Sequence, residues 1–389
     1  MPKVLVVTSQ NDTPWFGSYH RLIRTIESLC AMGCDIEVLG PASLRGVLPK
    51  GCVFHNIGTE NILGASARLP SLRHELANLA IFAKTVRLIQ RSNYDIIHTF
   101  DDGATSVYYA TRIRRIPYVI DRRSDYLDVD RGGSTFWKWM HGRFERHTLK
   151  HAEAVIGNHP AVIRRMDELH RRSRACIIYD IPALPANIPE AMLKSARAKY
   201  RTSPENPLIT CVGGLDRFQG LGVLFNAMPH VLIKKPNAKF AIVGGSKSEI
   251  VKMSKAVKKA RIGGAVIFTG RLPAEELSAL LRVSDILVSP RRKGDSAPVR
   301  VLDYLNANKP VVAADTPANR AILNPDNAIL TPPNPRSLAE GILKICISPE
   351  TGTKLARQGK SSLRRAGRTA EDFLGNLRLC YQYALRNRR

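Results

Sequence analysis

The chain has 389 residues, of which 44% are hydrophobic and 24% are charged, a composition typical of a globular protein. Because single hydrophobic cores stop growing at roughly 250–300 residues, this length predicts two domains. No apolar run approaches the roughly 18 residues that a membrane-spanning helix needs, and the opening MPKVLVVTSQND is strand-like rather than a signal peptide, so we expect a cytoplasmic protein. Seven scattered cysteines without a CxxC pair argue against a disulfide framework or a zinc site.

The net charge of +26 is unevenly distributed, with +9 on residues 1–200 and +17 on residues 201–389. Such a field favours polyanionic partners, which include nucleic acid, anionic lipid headgroups and phosphorylated substrates. The sequence contains no RNP-like aromatic strand, zinc finger or basic zipper, so specific binding to nucleic acid is not expected.

The chain opens with a β-loop-α-β pattern. The apolar run KVLVV is followed by a polar loop, a segment with apolar residues at helical spacing, and a second run, DIEVLG. Later strand-like runs are YDIIHTF, PYVID, AEAVIGN, LITCVGG, KFAIVGG, AVIFTG, DILVSP and PVVAAD. Apolar strands that alternate with helices predict an α/β fold with parallel sheets covered on both faces.

The same pattern indicates two Rossmann-like domains, because it restarts at LITCVGG after a polar, proline-bearing stretch. We predict an N-terminal domain over residues 1–180 and a C-terminal domain over residues 181–369. Residues 370–389 are predicted to form a helix with no strand after it, which packs back across the first domain.

Ligands of open parallel sheets bind beyond the carboxyl ends of the strands, so the loops after the apolar runs are the candidate sites. Gly17 and Ser18 follow the first run and precede a helix. The backbone there could approach a diphosphate or an acceptor, although a plain turn explains the same residues.

Two further loops in the first half carry charged residues. Asp101 and its neighbour Asp102 could bind an acceptor or cap a helix, and without a third ligand at regular spacing they do not predict a metal site. His98, inside the preceding apolar strand, is expected to be a core histidine. Arg123 follows another strand and could stabilise a leaving phosphate or hold an anionic acceptor, whereas an internal pair with Asp121 is the competing interpretation.

In the second half, the loop GGLDRFQG follows the strand LITCV. Gly214 frees the backbone there, while Arg217 and Gln219 could reach a phosphate, although a solvated loop fits these residues equally well. Arg271 follows the strand VIFTG at a position where a planar base could stack or bond to the main chain. This second loop is a weak signal when it is taken alone.

One segment, PRRKGDSAPVRVLDYLNANKP, carries two carboxylates, Asp295 and Asp303, with seven residues between them. Pro298 is suited to the start of a helix, so the amides of Val299 and Arg300 could point outward at an anion. A phosphate bound there would have one carboxylate near each of its ends. That arrangement suits a sugar joined through a diphosphate to a ribose.

The segment STFWKWMHGRFERH concentrates aromatic residues and cations, namely Phe136, Trp137, Trp139, Met140 and Phe144 with Lys138, Arg143 and Arg146. Amphipathic aromatics beside cations suit a membrane interface, and ordinary helix packing explains them too. Basic residues also repeat at helical spacing in KMSKAVKKAR and in KLARQGKSSLRRAGR, which predicts basic helix faces.

Taken in chain order, these loops resemble the retaining glycosyltransferases of family 4, which have the GT-B fold of two Rossmann-like domains facing a cleft. The similarity runs over most of the chain and is strongest from Leu208 to Leu323. In that family two glutamates seven residues apart flank the nucleotide sugar, and Asp295 and Asp303 fall on their positions. The resemblance implies that Asp295 contacts the donor sugar and that Asp303 binds the ribose hydroxyls.

The chain departs from the family at the donor loop, where the usual arginine and lysine correspond to Gly214 and Gln219. Substitute cations for the leaving diphosphate could be Arg217, Arg291, Arg292, Lys293 or Arg300. In the first domain, Arg123 lies near the place where relatives carry a histidine or an Arg-Asp pair, which makes it a catalytic candidate.

The resemblance implies a retaining, metal-independent glycosyltransferase of the hexosyltransferase type, with a nucleotide-diphosphate sugar as co-substrate and no cofactor. A glycan or lipid-linked glycan is the expected acceptor, and the positive charge favours an anionic acceptor or a peripheral position on a membrane face. Three alternatives remain open: a nucleotide-sugar epimerase of the same fold, a nucleotide-sugar-binding homologue with weak or no catalysis, and a nucleic-acid binder driven by net charge.

Overall fold

The computed structural model describes residues 1–9, 17–58, 72–100, 103–122, 135–160, 162–163, 174–200, 205–215, 219–292 and 298–386, with backbone alone at 72–75, 135–138, 140–141 and 174. The chain forms two compact units. Unit 1 comprises Met1–Asp180 and Ala370–Arg389, and unit 2 comprises Ile181–Thr369.

The described strands are β1 Lys3–Val7, β2 Asp35–Gly40, β3 Val53–Asn56, β4 Ile96–Phe100, β5 Tyr118–Arg122, β6 Ala154–Gly157, β7 Arg174–Ile177, β8 Leu208–Val212, β9 Lys239–Val243, β10 Val266–Gly270, β11 Ile286–Ser289, β12 Val311–Ala314 and β13 Ile329–Thr331. The described α-helices are α1 Gly17–Ala31, α2 Leu72–Arg91, α3 Ala104–Thr111, α4 Thr135–His151, α5 Glu190–Tyr200, α6 Leu221–Lys234, α7 Lys247–Lys259, α8 Ala274–Val283, α9 Val299–Asn306, α10 Pro317–Arg320, α11 Pro335–Ile347, α12 Pro349–Arg365 and α13 Ala370–Arg386.

Unit 1 contains a seven-stranded parallel sheet in the order β3-β2-β1-β4-β5-β6-β7. In the centre, Val4 of β1 lies opposite Ile36 on one side and Ile96 on the other. The strand is buried from Val4 to Val7, which explains its unbroken apolar sequence. Because the strand order reverses between β1 and β4, the crevice at their carboxyl ends is a favoured place for a ligand.

The last helix, α13, belongs to unit 1. It packs against α1, β6 and β7 and buries Phe373, Leu377 and Tyr381. The apolar stripe of α1, with Leu22 and Ile26, is buried in the same unit. Burial of these stripes accounts for the helical spacing of apolar residues in both segments.

Unit 2 contains a six-stranded parallel sheet in the order β10-β9-β8-β11-β12-β13. Ile209 of β8 lies opposite Phe240 in β9 and Ile286 in β11, so the reversal of strand order falls between β8 and β11. Phe240 and Ile286 belong to the buried core between this sheet and its helices. The predicted α/β fold with two parallel-sheet domains is confirmed. Among the described helices, none has both the length and the apolar character to cross a membrane.

Candidate functional site

Helix α9 begins where the sequence predicts a phosphate site. Pro298 is its N-cap residue with an extended backbone (φ −74°, ψ 107°), and the proline side chain makes no capping hydrogen bond to the first turn. Val299 and Arg300 are its first two residues, so their amides belong to the group that has no partner within the helix. The N-terminal end of a helix carries a partial positive charge, which favours an anion there.

A buried tyrosine on α9 fixes this helix against the sheet of unit 2. The hydroxyl of Tyr304 accepts a hydrogen bond from the backbone N–H of Val212 at 2.8 Å and donates one to the carbonyl oxygen of Val288 at 3.4 Å. Val212 and Val288 lie in β8 and β11, the two strands at the reversal of strand order. Tyr304 therefore positions α9 beside the crevice where ligands of such sheets bind.

Asp303 lies in the middle of α9 with its carboxylate buried. Its Oδ1 accepts hydrogen bonds from the backbone N–H groups of Ala183 at 2.7 Å and Leu184 at 2.9 Å. Its Oδ2 is 3.6 Å from Nη1 of Arg300 and has no hydrogen-bond partner among the described residues. Burial raises the pKa of Asp303, although Arg300 and the two backbone amides act in the opposite direction.

The Oδ1 contacts give Asp303 a structural role that sequence reasoning missed, because they hold the chain that enters unit 2. The predicted role as ribose ligand stays a prediction, and Oδ2 is the oxygen that it would use. Asp295, the other predicted carboxylate, lies outside the described residues, as do Lys293, Arg217, Arg123 and Asp101.

The structure brings the two predicted donor loops of unit 2 together through a glycine. Gly220, directly before α6, has φ +74°, and a Cβ added there would lie 1.9 Å from the carbonyl oxygen of Pro290. Only glycine permits so close an approach. The start of α6 consequently lies against the segment that continues into Arg291 and Arg292.

Gln219 folds back over the end of β8. A Cβ added at Gly213 would lie 3.3 Å from the side-chain oxygen of Gln219, so the amide group covers this glycine. Gly214, the next residue, is exposed. Gly214 and Gln219, which the resemblance predicts to stand in place of the family's donor-loop cations, therefore lie close together at the carboxyl end of β8.

The ends of β8, β9 and β10 are also joined closely. The backbone N–H of Gly213 donates to the carbonyl of Val243 at 3.0 Å, and that of Gly244 donates to the carbonyl of Gly270 at 2.8 Å. Arg271 follows directly, is exposed, and lies near enough to Glu249 to help lower the pKa of that carboxyl. Arg271 thus lies at the carboxyl end of β10, as its position in the sequence indicates.

In unit 1, Gly17 and Ser18 form the first turn of α1 and are half-buried. The residue that dominates this end of the sheet is Arg21, on the same helix. Its Nε donates to Asp121 Oδ1 at 2.7 Å and its Nη1 donates to Asp180 Oδ1 at 2.8 Å. Although burial opposes the charge, the two carboxylates raise the pKa of Arg21, so the side chain stays a cation.

Asp121 and its neighbour Arg122 both form ion pairs in unit 1. The carboxylate of Asp121 pairs with Arg21, and Arg122 pairs with Glu145 of α4. The charges of Asp121 and Arg122 are therefore both neutralised by partners within unit 1. The available sequence signal for this cluster was an arginine directly beside the apolar stripe of α1. The alternatives for Arg123 stay predictions, because that residue lies outside the described residues.

His98 is a fully buried residue of β4, as expected. Its Nδ1 lies 2.8 Å from the hydroxyl of Tyr381 on α13. Burial, together with the positive charge of Arg21, lowers the pKa of His98 to about 3, so the ring is neutral at physiological pH. The histidine links the sheet of unit 1 to the last helix of the chain.

Asn319 is a second residue that sequence reasoning did not identify. Its amide nitrogen donates to the carbonyl oxygens of Ala314 at 2.7 Å and Ser289 at 3.3 Å, and its oxygen accepts from the Ser289 hydroxyl at 3.0 Å. It thereby joins the carboxyl ends of β11 and β12. No local pattern marks such a residue, because its partners come from two different strands.

Comparison with protein families matches both halves of the chain. Residues 17–179 match the family described as "Glycosyl transferase 4-like domain", and residues 194–362 match "Glycosyl transferases group 1". A phosphatidyl-myo-inositol mannosyltransferase of Mycobacterium tuberculosis is 23% identical over 363 residues, covering 90% of this chain and 89% of the relative. A GDP-mannose-dependent monoacylated alpha-(1-6)-phosphatidylinositol monomannoside mannosyltransferase of Corynebacterium glutamicum is 29% identical over 175 residues, covering 43% of this chain and 42% of the relative.

Solved structures share the fold over nearly the whole length. Sucrose-phosphate synthase from Thermosynechococcus elongatus superimposes with a TM-score of 0.81 at 17% identity and covers 98% of both chains. Anabaena Alr3699/HepE in complex with UDP-glucose superimposes with a TM-score of 0.76 at 15% identity, covering 98% of this chain and 100% of the other. At these identities the similarity concerns the fold.

Proposed function

The chain belongs to the family 4 type of GT-B glycosyltransferases, and from this premise we propose that it transfers a hexose from a nucleotide-diphosphate sugar to an acceptor with retention of anomeric configuration. The donor is proposed to bind in unit 2, at the first turn of α9 and the loops after β8 and β10. The acceptor is proposed to be a glycan or a lipid-linked glycan.

The observation that supports the donor site is that Oδ2 of the buried Asp303 carboxylate lacks a hydrogen-bond partner among the described residues, although Arg300 lies 3.6 Å away. Buried polar atoms almost always have hydrogen-bond partners, so a buried carboxylate oxygen without one calls for an explanation. Oδ2 of Asp303 is such an atom among the described residues, and it lies one helical turn from the amides that would receive a diphosphate. A ribose hydroxyl is a neutral donor that would supply the missing hydrogen bond.

The proposed chemistry needs positive charge more than it needs a nucleophile. In front-face attack, the acceptor oxygen bonds to the anomeric carbon on the side from which the diphosphate oxygen leaves, and the acceptor's proton passes to that leaving phosphate. Arg300 and the amides of α9 are proposed to stabilise the leaving group, with Arg291 and Arg292 beside the start of α6. No metal ion or cofactor is proposed for this step.

Two findings support an acceptor at an anionic membrane surface. The net charge is +26, and the two relatives described above have names that refer to phosphatidylinositol-based acceptors. Strong positive charge raises the local concentration of anionic substrates and supports peripheral association with acidic lipids. We accordingly propose a cytoplasmic protein that acts at a membrane face.

The test is a panel of nucleotide sugars assayed by thermal shift and by hydrolysis, with GDP-mannose and UDP-glucose as the first two. We expect one of them to raise the melting temperature of the parent protein. Arg300→Ala and Asp303→Asn each remove a charged hydrogen-bonding group. Each variant is therefore expected to need about ten times more ligand, or a larger excess, for the same rise in melting temperature. Arg320→Ala is the matched control, since Arg320 is an exposed arginine of the same unit that pairs with Asp315.

The outcomes separate the alternatives. A parent protein that no nucleotide sugar stabilises would contradict the donor site. Stabilisation without transfer to any acceptor would indicate a binding homologue, which the replacement of the donor-loop cations by Gly214 and Gln219 would explain. A sugar product that forms without an acceptor would indicate an epimerase.

A further inference from the structure

One face of unit 1 exposes aromatic and aliphatic side chains that a globular protein ordinarily buries. In α3 and the turn after it, Tyr109 is 43% exposed and Ile113 is 51% exposed. In α4, Trp139 is 59% exposed and Phe144 is 37% exposed. Large side chains exposed together mark an interaction site more often than scattered single ones do.

Two of these side chains, one from each helix, meet where α3 packs against α4. The rings of Tyr109 and Phe144 are 6.3 Å apart, edge to face. Beneath them the buried Tyr108 lies with its hydroxyl 2.8 Å from Nε2 of His147, which ties the two helices together. The exposed residues are therefore held on a rigid support.

Cations surround the exposed rings. Trp139, Arg143, Arg146 and Lys150 follow one another along α4 at spacings of four, three and four residues, and all four are exposed. Residues at these spacings share one face of a helix. We call the set formed by these residues and by Tyr109, Arg112, Ile113 and Phe144 the α3–α4 surface.

Within the two segments that form this surface, acidic residues are too few to balance the positive charge. Residues 104–115 and 135–151 contain seven lysines and arginines and a single carboxylate, Glu145. Glu145 is 14% exposed and pairs with Arg122, so it faces inward. The next carboxylate along the chain, Glu153, follows α4 in the turn into β6.

The positive charge of these residues affects the pKa of His147. Burial lowers the pKa of His147, and electrostatic interactions with His151, Lys150, Arg112 and Arg143 lower it further. Side chains from both helices therefore combine into one region of positive potential. The positions and exposure of the residues define the α3–α4 surface, and the lowered pKa of His147 is consistent with them.

We propose that the α3–α4 surface docks on the headgroup region of a membrane that contains anionic phospholipid. Exposed tryptophan, tyrosine and phenylalanine favour the interface between headgroups and acyl chains, and lysines and arginines beside them attract acidic headgroups. The rings distinguish a bilayer from duplex nucleic acid, which would use the cations and leave the apolar side chains in water. This docking adds a membrane-binding surface to the proposed function. Its biological role rests on the proposal that the protein acts at a membrane face.

The test is flotation of the full-length protein with vesicles of phosphatidylcholine, with and without phosphatidylglycerol, in the absence of any nucleotide sugar. We expect binding to the phosphatidylglycerol vesicles that weakens with salt. The double variant Arg143→Glu, Arg146→Glu is expected to bind at least roughly thirtyfold more weakly, since each cation near an acidic surface contributes about a fivefold increase in affinity.

The matched control is Lys354→Glu, Arg357→Glu. These two residues have the same spacing of three, are both exposed on α12 of unit 2, and change the net charge by the same amount. We expect this variant to retain most of the binding. Equal loss in both double variants would show that net charge alone drives the association and would overturn the assigned surface.

The apolar contribution has its own pair of variants. Trp139→Ala is expected to reduce vesicle binding several-fold, whereas Leu379→Ala, at a position of α13 that is 60% exposed, is expected to leave it unchanged. Brominated phospholipid is expected to quench the tryptophan fluorescence of the parent protein. Absence of quenching in a vesicle-bound parent, or no effect of Trp139→Ala, would overturn insertion of the rings.

The result is distinguishable from that of the donor experiment. If nucleotide sugars stabilise the protein but anionic vesicles do not bind, the docking surface is wrong and the donor site stands. If vesicles bind through the α3–α4 surface and no nucleotide sugar stabilises the protein, the proposed transferase activity fails instead. Binding to duplex DNA that is lost equally in Arg143→Glu, Arg146→Glu, with no binding to vesicles, would replace the membrane by nucleic acid.

Discussion

Oδ1 of Asp303 accepts the backbone N–H of Ala183 at 2.7 Å, a contact between residues 120 positions apart in the sequence. Two residues of α8 hold the chain that follows Ala183. The hydroxyl of Ser278 donates to the carbonyl oxygen of Pro185 at 2.8 Å, and the Arg282 side chain donates to the carbonyl oxygen of Ala186. The chain that enters unit 2 is thus fixed along residues 183–186. Asp303 combines this structural role with the predicted role at the donor.

Replacement of Asp303 separates the two roles. Asp303→Ala is expected to lower the free energy of unfolding of unit 2 by about 2–4 kcal/mol, because it leaves two backbone N–H groups without their acceptor. Asp303→Asn keeps an acceptor oxygen and should cost less. Urea unfolding followed by circular dichroism measures both, with Asp315→Ala, at a surface ion pair, expected to cost at most about 1 kcal/mol. Equal stability of Asp303→Ala and the parent would contradict the attachment.

Gly220→Ala should disturb the donor loops. The added Cβ would lie 1.9 Å from the carbonyl oxygen of Pro290, and the backbone has φ +74°, so the start of α6 or the segment after β11 must move. We expect a loss of stability of at least about 1 kcal/mol and weaker binding of a nucleoside diphosphate. Gly222→Ala is the control in the same helix, because no atom lies within 4 Å of the added Cβ. It should be neutral or slightly stabilising, and equal behaviour of both variants would refute the close approach.

Because His98 is buried in its neutral form, the free energy of unfolding of unit 1 is expected to decrease in acid. The pKa of His98 is about 3 in the folded state and lies near 6.5 when the ring is free, so the unfolded chain binds the proton first as the pH falls. Stability from this group is complete above pH 6.5 and decreases by at most about 1.4 kcal/mol per pH unit between 6.5 and 3. All three tryptophans lie in residues 1–180, so their fluorescence reports the unfolding of unit 1.

His98→Gln is expected to flatten this dependence, while His230→Gln, at an exposed position of unit 2, should leave it unchanged. The quantity compared is the slope of the unfolding free energy with pH, because the carboxylates contribute the same background to each protein. An identical slope in His98→Gln and the parent would show that the ring is not held neutral.

Arg21→Met should destabilise unit 1 by about 3–5 kcal/mol, because it leaves the buried carboxylates of Asp121 and Asp180 without their cation. Arg24→Met removes a partly exposed arginine from the same helix, where it pairs with Glu27 near the surface, and should cost at most about 1 kcal/mol. Urea unfolding followed by tryptophan fluorescence compares the two variants. Similar midpoints would mean that the Arg21 cluster contributes little to stability.

Local patterns were sufficient to predict the architecture. Strands such as KVLVV and LITCV are apolar throughout because both faces of their sheets are covered, and this property is visible without any knowledge of their neighbours. Pro298 similarly indicates the start of α9, since its fixed φ and missing N–H suit a first helical turn. The loops that follow these strands were identified as candidate sites for the same reason.

Long-range pairing was not predictable in this way. Arg21 forms ion pairs with Asp121 and Asp180, which are 100 and 159 residues away. The local sequence around these three residues does not indicate which of them will pair. Tyr304 and Asn319 join strand ends through backbone groups that every residue possesses. Their importance follows from the position that the fold gives them.

The sequence by itself determined the fold class and the family, and it predicted a segment for the donor site, because periodicity, glycines and prolines act over a few residues. Only the tertiary structure decided that one oxygen of Asp303 accepts hydrogen bonds from Ala183 and Leu184, while the other faces Arg300 without a hydrogen bond among the described residues. The same holds for the exposure of Trp139 and Arg143. Burial and hydrogen bonding depend on groups that are distant in the chain, so they exist only once the chain has folded.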